Sequence, residues 1–230
     1  NILPLKKEGK IALIGPLADT RNNIAGTWSV AQTPEKYATI KEAMENALKG
    51  KATLLYTQGC NIWRNRQLQK NGEFDKPLNW GDENELKKEA LKIAKEADVI
   101  VCAMGESADM SGECGSRTNL EMPDVQHELL AELVKLGKPV VLLNFAGRPT
   151  VLSWEKQYVP AIMNVWFGGS EMGDALCDVI FGDKVPSGKL TTSMPKTTGQ
   201  APIYYNHQNT GRPVPDDNKE FAKYASNCLD

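Results

Sequence analysis

The stretch DVIVCAM, residues 98–104, is a short and almost uninterrupted apolar segment. A run of this length is typical of a strand that is covered on both faces, as in a parallel sheet. Four further runs share this character: residues 10–16 (KIALIGP), 52–57 (ATLLYT), 139–145 (PVVLLNF) and 161–167 (AIMNVWF). The sequence therefore predicts five buried strands.

Amphipathic helices are predicted between these strands. The first is predicted to begin at Thr33-Pro34-Glu35, which combines a cap residue, a proline and an acid, and to stop at Gly50. Apolar residues recur on one face over residues 86–97 and again over residues 125–136, and a fourth helix is predicted over residues 170–181. Because alternating strands and helices indicate right-handed crossovers, we expect an α/β fold: a doubly wound, mostly parallel sheet in a three-layer, flavodoxin-like sandwich.

The domain organisation follows from where the periodicity fades. Residues 1–195 are predicted to form the sandwich, with residues 64–82 as a polar inserted loop. Residues 196–230 contain prolines and many polar groups, and they are predicted to be an extended tail or linker.

Composition excludes several classes of function. The chain has 230 residues with 27 basic and 29 acidic side chains, so its charges nearly cancel. No stretch concentrates enough positive charge to attract the phosphate backbone of a nucleic acid. No apolar run approaches the roughly 18–20 residues of a bilayer span, so no membrane insertion is expected. The five cysteines are irregularly spaced and include no CxxC pair, so no metal site is predicted.

The loop after the third strand carries the densest set of reactive side chains. Three carboxylates and an arginine follow one another within residues 105–117: Glu106, Asp109, Glu113 and Arg117. Ligands of open α/β sheets bind beyond the carboxyl ends of the strands, where carboxylates can do acid/base work and an arginine can hold a carboxylate or a ligand oxygen. A solvated polar loop without chemistry is the alternative interpretation of the same spacing.

Other candidates are weaker. Trp28 lies in a glycine-containing loop (AGTWS, residues 25–29) and either stacks on a sugar ring or packs against the protein. His127 is predicted on a helix surface, His207 in the tail, and Arg148 at a helix start with the proline that follows it. The sequence contains none of the nucleotide or nucleophile-elbow motifs GxGxxG, GxxxxGK[ST] and GxSxG.

Several stretches in order resemble the C-terminal α/β domain of glycoside hydrolase family 3. They are KIALIGPLA (residues 10–18), GE followed by SRTNL (105–106 and 116–120), NFAGRP (144–149), WFGGSE with PSGKL (166–171 and 186–190) and NTGRP (209–213). The likeness covers nearly the whole chain.

The resemblance implies a retaining, exo-acting β-glycosidase, most of all a β-glucosidase, whose barrel domain carries the aspartate nucleophile. This domain would supply the general acid/base, for which Glu113 matches first and Glu106 second. Trp28 would flank a sugar subsite. Substrate binding by Arg117 is predicted separately, from its place in the carboxylate-rich loop. The reaction needs no cofactor, and its substrates would be oligosaccharides or aryl β-glycosides.

The resemblance also implies partners and limits. The partner would be the protein's own N-terminal barrel, and a fibronectin-like domain often follows. The barrel lies outside these 230 residues, so we expect the isolated domain to fold but to be inactive. Localisation is unknown from the sequence, with periplasm or secretion expected from the family. A non-catalytic small-molecule-binding or docking domain of flavodoxin-like fold is the alternative.

Overall fold

A single parallel sheet forms the centre of the fold. The computed structural model describes residues 2–29, 31–71, 73 and 78–206. Within them the sheet has the order β2-β1-β3-β4-β5, and all its neighbouring strands run parallel. The strands are β1 (Lys10–Ile14), β2 (Thr53–Thr57), β3 (Val99–Gly105), β4 (Val140–Phe145) and β5 (Ala161–Asn164). The predicted doubly wound α/β fold is confirmed.

Helices cover both faces of this sheet. In the described ranges they are α1 (Ile40–Leu48), α2 (Arg66–Asn71), α3 (Glu83–Glu96), α4 (Asp124–Val134), α5 (Ser153–Tyr158) and α6 (Met172–Ile180). Apolar side chains of α1 and α6 pack on one face of the sheet, and those of α3 and α4 pack on the other. Because side chains alternate along a strand, β1, β3 and β4 contribute to both cores and are buried. None of these helices is both long and apolar enough to cross a bilayer.

The first helix begins later than the sequence signal at Thr33 predicts. Residues Pro34–Lys36 form a separate 3-10 turn, and α1 starts after Thr39. The Thr39 hydroxyl accepts a hydrogen bond from the Glu42 amide at 3.1 Å, while the Glu42 carboxylate accepts one from the Thr39 amide at 3.0 Å. This reciprocal capping box satisfies two amides at the helix start and therefore outcompetes the proline signal.

Two further predictions are wrong in detail. The segment predicted as a loop over residues 64–82 contains helix α2. Strand β5 ends at Asn164 rather than at residue 167, because Trp166 adopts a positive φ of 52° that breaks the extended backbone. Of the predicted tail, residues 196–206 are described and include the 3-10 turn Thr198–Gln200; His207 lies outside the described residues.

Candidate active site

The loops after β1 and β3 meet at the carboxyl edge of the sheet. The Thr27 hydroxyl donates to the carbonyl oxygens of Ser111, at 2.7 Å, and Ala108. The buried Asn23 side chain accepts a hydrogen bond from the Ala108 amide at 2.9 Å. These contacts tie the loop that carries Trp28 to the loop that carries the candidate carboxylates.

Glu113 lies exposed near the tip of the second of these loops. It is part of a turn in which the Gly115 amide donates to the Gly112 carbonyl at 3.1 Å. Among the residues that the structure describes, none forms a hydrogen bond or ion pair with the Glu113 carboxylate. The side chain is therefore available to a ligand at the edge where α/β sheets bind their ligands.

Glu106 has the opposite environment. It follows β3 directly and is only 1% exposed. Its carboxylate lies 2.8 Å from Nη1 of Arg117 and 3.2 Å from Nε of Arg148, and the Gly147 amide donates to it at 3.4 Å. Because these donors enclose the Glu106 carboxylate, it is held inside the protein and is not accessible to a sugar.

Arg117 binds a carboxylate, as the sequence allows, but that carboxylate belongs to Glu106. The guanidinium also donates to the backbone carbonyl of Glu121 at 3.0 Å and lies 5.3 Å from the centre of the Trp63 ring. Its side chain is 9% exposed. Binding of substrate by Arg117 stays a prediction, and the observed contacts are structural.

Arg148, only a weaker candidate in the sequence, has a role in the site that sequence reasoning missed. It was predicted to start a helix, but α5 begins only at Ser153. Instead, its guanidinium binds Glu106 and the backbone carbonyls of Met110 and Gly115. The information that was lacking is the strand order: β3 and β4 are neighbours in the sheet, so the loops that follow them meet, but the apolar periodicity alone does not give that order.

The base of the loop is fixed by Gln126, which the sequence analysis also missed. This buried side chain on α4 accepts from the Gly105 amide at 2.8 Å and donates to the carbonyls of Gly105, at 2.9 Å, and Ile62. Gly105 has a φ of 127°, and a Cβ there would lie 2.1 Å from the Phe145 carbonyl oxygen. The chain therefore leaves β3 in a direction that only glycine permits.

The remaining predicted residues have varied surroundings. The Trp28 side chain is 69% exposed on its loop. His127 lies on α4 with its ring 3.2 Å from the buried Glu155 carboxylate and edge-on to Trp154. The hydrogen bond to Glu155 raises the pKa of His127 against the opposing effect of burial. Within the described ranges no group of three His, Cys, Asp or Glu side chains is placed to hold a metal ion.

A cleft of about 960 Å³ borders the Glu113 turn. It lies between the loops after β2 and β3, and its lining includes Trp63, Leu68, Cys114 and Asn119. Aromatic, amide and hydroxyl groups line this space, which is open to solvent and reaches Cys114 and Gly115 of the turn. Such a mixture of flat apolar and polar groups suits a polar organic ligand.

Comparison with known proteins identifies the family. Residues 1–226 match the model of the glycosyl hydrolase family 3 C-terminal domain. The chain is 41% identical over 233 aligned residues to a periplasmic β-glucosidase of Salmonella typhimurium, covering 96% of this chain and 30% of that protein. It is 33% identical over 211 residues to a β-xylosidase of Formosa agariphila, covering 89% of this chain and 27% of that protein.

Solved structures agree with these relatives. A β-glucosidase from Listeria innocua in complex with glucose matches with a TM-score of 0.76 and 34% identity, over 95% of this chain and 27% of that chain. The chain thus spans less than a third of the length of the proteins that it matches. The resemblance found in the motifs is confirmed, and the chain belongs to glycoside hydrolase family 3, as the C-terminal domain of that family.

Proposed function

We propose that this chain is the acid/base domain of a retaining, exo-acting β-glycosidase, with a terminal β-linked glucose as the first-choice substrate. Glu113 is the proposed general acid/base. The nucleophile belongs to a barrel domain outside the 230 residues. Relatives named β-glucosidase and β-xylosidase support the class of reaction.

The observation that carries the proposal is the contrast between two glutamates on one loop. A general acid must come within about 2.6–3.2 Å of the leaving oxygen. The Glu113 carboxylate is exposed and has no partner among the described residues, whereas Glu106 is 1% exposed between two guanidinium groups. Access therefore favours Glu113 as the group that meets the substrate.

The chemistry needs two carboxyl groups about 5–5.5 Å apart across the glycosidic bond. The barrel nucleophile attacks the anomeric carbon, the carbon–oxygen bond to the leaving group breaks, and Glu113 gives its proton to the leaving oxygen. In the second half, the Glu113 carboxylate takes a proton from water, and the hydroxide released displaces the nucleophile. No cofactor takes part.

The surroundings of Glu113 support a sugar-binding role for its neighbours. Thr27 attaches the Trp28 loop to the Glu113 loop, so an indole that is 69% exposed lies on an adjoining segment. Such a ring can stack on the apolar face of a sugar beyond the cleaved bond. Exposed apolar side chains of Trp28 and Leu68 also fit a surface that meets the barrel. Export to the periplasm or the exterior agrees with the periplasmic relative.

The test uses the full-length gene product and a panel of nitrophenyl β-glycosides that includes glucoside and xyloside. Glu113→Gln should lower kcat/KM by about 10²–10⁴-fold, the range of general acid/base catalysis. It should also abolish the limb of the pH profile of kcat/KM that reports ionisation of the general acid. Glu106→Gln should instead lower stability, and its rate per folded molecule should fall far less. The 230-residue chain alone should turn over none of the panel.

Two results would contradict this proposal. Full activity of Glu113→Gln at all pH values would remove Glu113 from the chemistry. Turnover by the isolated chain, lost on Glu113→Gln, would show that the barrel is not required. A full-length protein that binds sugars but hydrolyses no member of the panel would favour the non-catalytic alternative.

A further inference from the structure

Arg148 joins the two ends of the turn that carries Glu113. Its Nη2 group donates to the carbonyl oxygen of Gly115 at 2.5 Å and to that of Met110. These carbonyls lie on either side of Glu113 in the chain, so one guanidinium group closes the turn around the carboxylate. The Nε end of the same guanidinium lies 3.2 Å from buried Glu106, which fixes its orientation.

The turn needs such a contact because its own backbone is irregular. Gly112 and Cys114 both have positive φ angles, of 94° and 62°. The residues from 111 to 117 form neither helix nor strand. A segment of this kind keeps its shape when the surrounding structure fixes it from outside. Arg148 supplies this support at both ends of the turn, while Thr27 holds the carbonyl of Ser111.

We infer that Arg148 is a positioning residue for Glu113. It fixes the position of the Glu113 carboxyl group and does not itself contact the substrate. The inference rests on the proposed function of Glu113. Proton transfer requires a distance of about 2.6–3.2 Å between heavy atoms. Because a displacement of about 1 Å can cost about 10²-fold in rate, a loosened turn should slow the step that needs this proton.

The inference is tested with Arg148→Lys and Arg148→Ala in the full-length gene product. Lysine keeps the positive charge beside Glu106, but its ammonium group lacks the planar fork that reaches one carboxylate and two carbonyls together. The measurement is kcat/KM for aryl β-glycosides whose leaving groups range from phenol to 2,4-dinitrophenol. This constant reports the first half-reaction, in which the phenol departs.

Leaving groups discriminate between positioning and general damage. Dinitrophenolate departs without a proton, whereas phenol needs one from Glu113. We therefore expect the Arg148 variants to lose about 10–100-fold on the phenyl glycoside and less than about threefold on the dinitrophenyl glycoside. The matched control is Ile93→Val, which trims the core near the C-terminal end of α3, at the opposite edge of the sheet from the site. It should leave both constants unchanged.

A double variant tests whether Arg148 acts through Glu113. If it does, Glu113→Gln combined with Arg148→Lys should be no slower than Glu113→Gln alone, within about threefold, because residues that act as a unit are not additive. Additive losses would overturn the inference. So would equal losses of the Arg148 variants on all leaving groups, or wild-type constants throughout.

The outcomes separate this inference from the proposed function. If Glu113→Gln loses the same factor in kcat/KM on the phenyl and the dinitrophenyl glycoside, the acid/base proposal fails. If Glu113→Gln shows that dependence and Arg148→Lys does not, only the positioning role fails. Circular dichroism of each variant shows whether it folds, and should Arg148→Ala not fold, the conservative Arg148→Lys decides.

Discussion

Replacing Glu106 by glutamine should destabilise the fold because it removes the anion shared by two arginines. Glutamine has nearly the same shape and keeps one acceptor, so the change is chiefly one of charge. Removing one partner of a buried ion pair costs about 3–5 kcal/mol. The Arg117 and Arg148 side chains are 9% and 20% exposed and keep backbone carbonyl partners, so water and these carbonyls offset part of the cost. We expect a loss of about 2–3 kcal/mol in the free energy of unfolding.

The assay is urea unfolding of the 230-residue chain followed by circular dichroism, with the free energy obtained by linear extrapolation. The melting temperature should fall by about 4–12 °C, because each kcal/mol lowers it by about 2–4 °C in chains of this size. The matched control is Glu45→Gln on the exposed surface of α1, which should change stability by less than about 0.5 kcal/mol. If the two variants prove equally stable, the two guanidinium groups do not depend on the buried carboxylate and the reasoning fails.

Three further predictions concern other contacts and use the same urea titrations. The hydrogen bond to Glu155 is the main cause of the raised pKa of His127. This bond therefore stabilises the fold fully below the free-histidine pKa of about 6.5. The stabilisation is lost as the pH rises through the raised pKa of the folded state. The stability lost in His127→Gln should therefore be larger near about pH 5.5 than near about pH 9. Gly147→Ala places a Cβ 1.9 Å from a serine hydroxyl oxygen and should cost about 1–3 kcal/mol, whereas Gly188→Ala, with nothing within 4 Å, should be neutral. Thr39→Ala removes the capping hydroxyl of α1 and should cost about 1 kcal/mol, most of which Thr39→Ser should restore.

Each of these has a contrary outcome. A His127→Gln difference that is the same at both pH values would show that the contact with Glu155 does not survive in solution. Equal stability of the two glycine variants would mean that the chain accommodates the added methyl group by moving the serine. A serine variant as unstable as the alanine variant at position 39 would place the effect in the lost methyl group instead of the cap.

The sheet could be predicted because each strand is a separate apolar run bounded by polar residues. The start of α1 was less predictable, since Pro34 and Thr39 both belong to valid start patterns. Only the reciprocal bonds between Thr39 and Glu42 decide between them. The break of β5 at Trp166 had no sequence signal, because a positive φ is uncommon for a bulky residue and the residue type does not favour it.

The site could be predicted as a loop but not as a set of contacts. Glu106 and Glu113 are the same type of residue on the same loop, so residue type does not distinguish them. They differ in exposure because they lie at different distances from the end of β3. Glu106 directly follows a buried strand, whereas Glu113 lies beyond a turn. The role of Arg148 depends on β3 and β4 being neighbours, which sequence periodicity does not reveal.

The turn around Glu113 is attached through main-chain oxygens. Arg148 binds the carbonyls of Met110 and Gly115, and Thr27 binds that of Ser111. Since every amino acid supplies a carbonyl, these attachments constrain the number of residues in the turn far more than their identity. Directed evolution could therefore vary the residues of the turn beside the carboxylate, other than Gly112, whose φ of 94° favours glycine, to reshape selectivity, whereas a one-residue insertion or deletion would break the attachment.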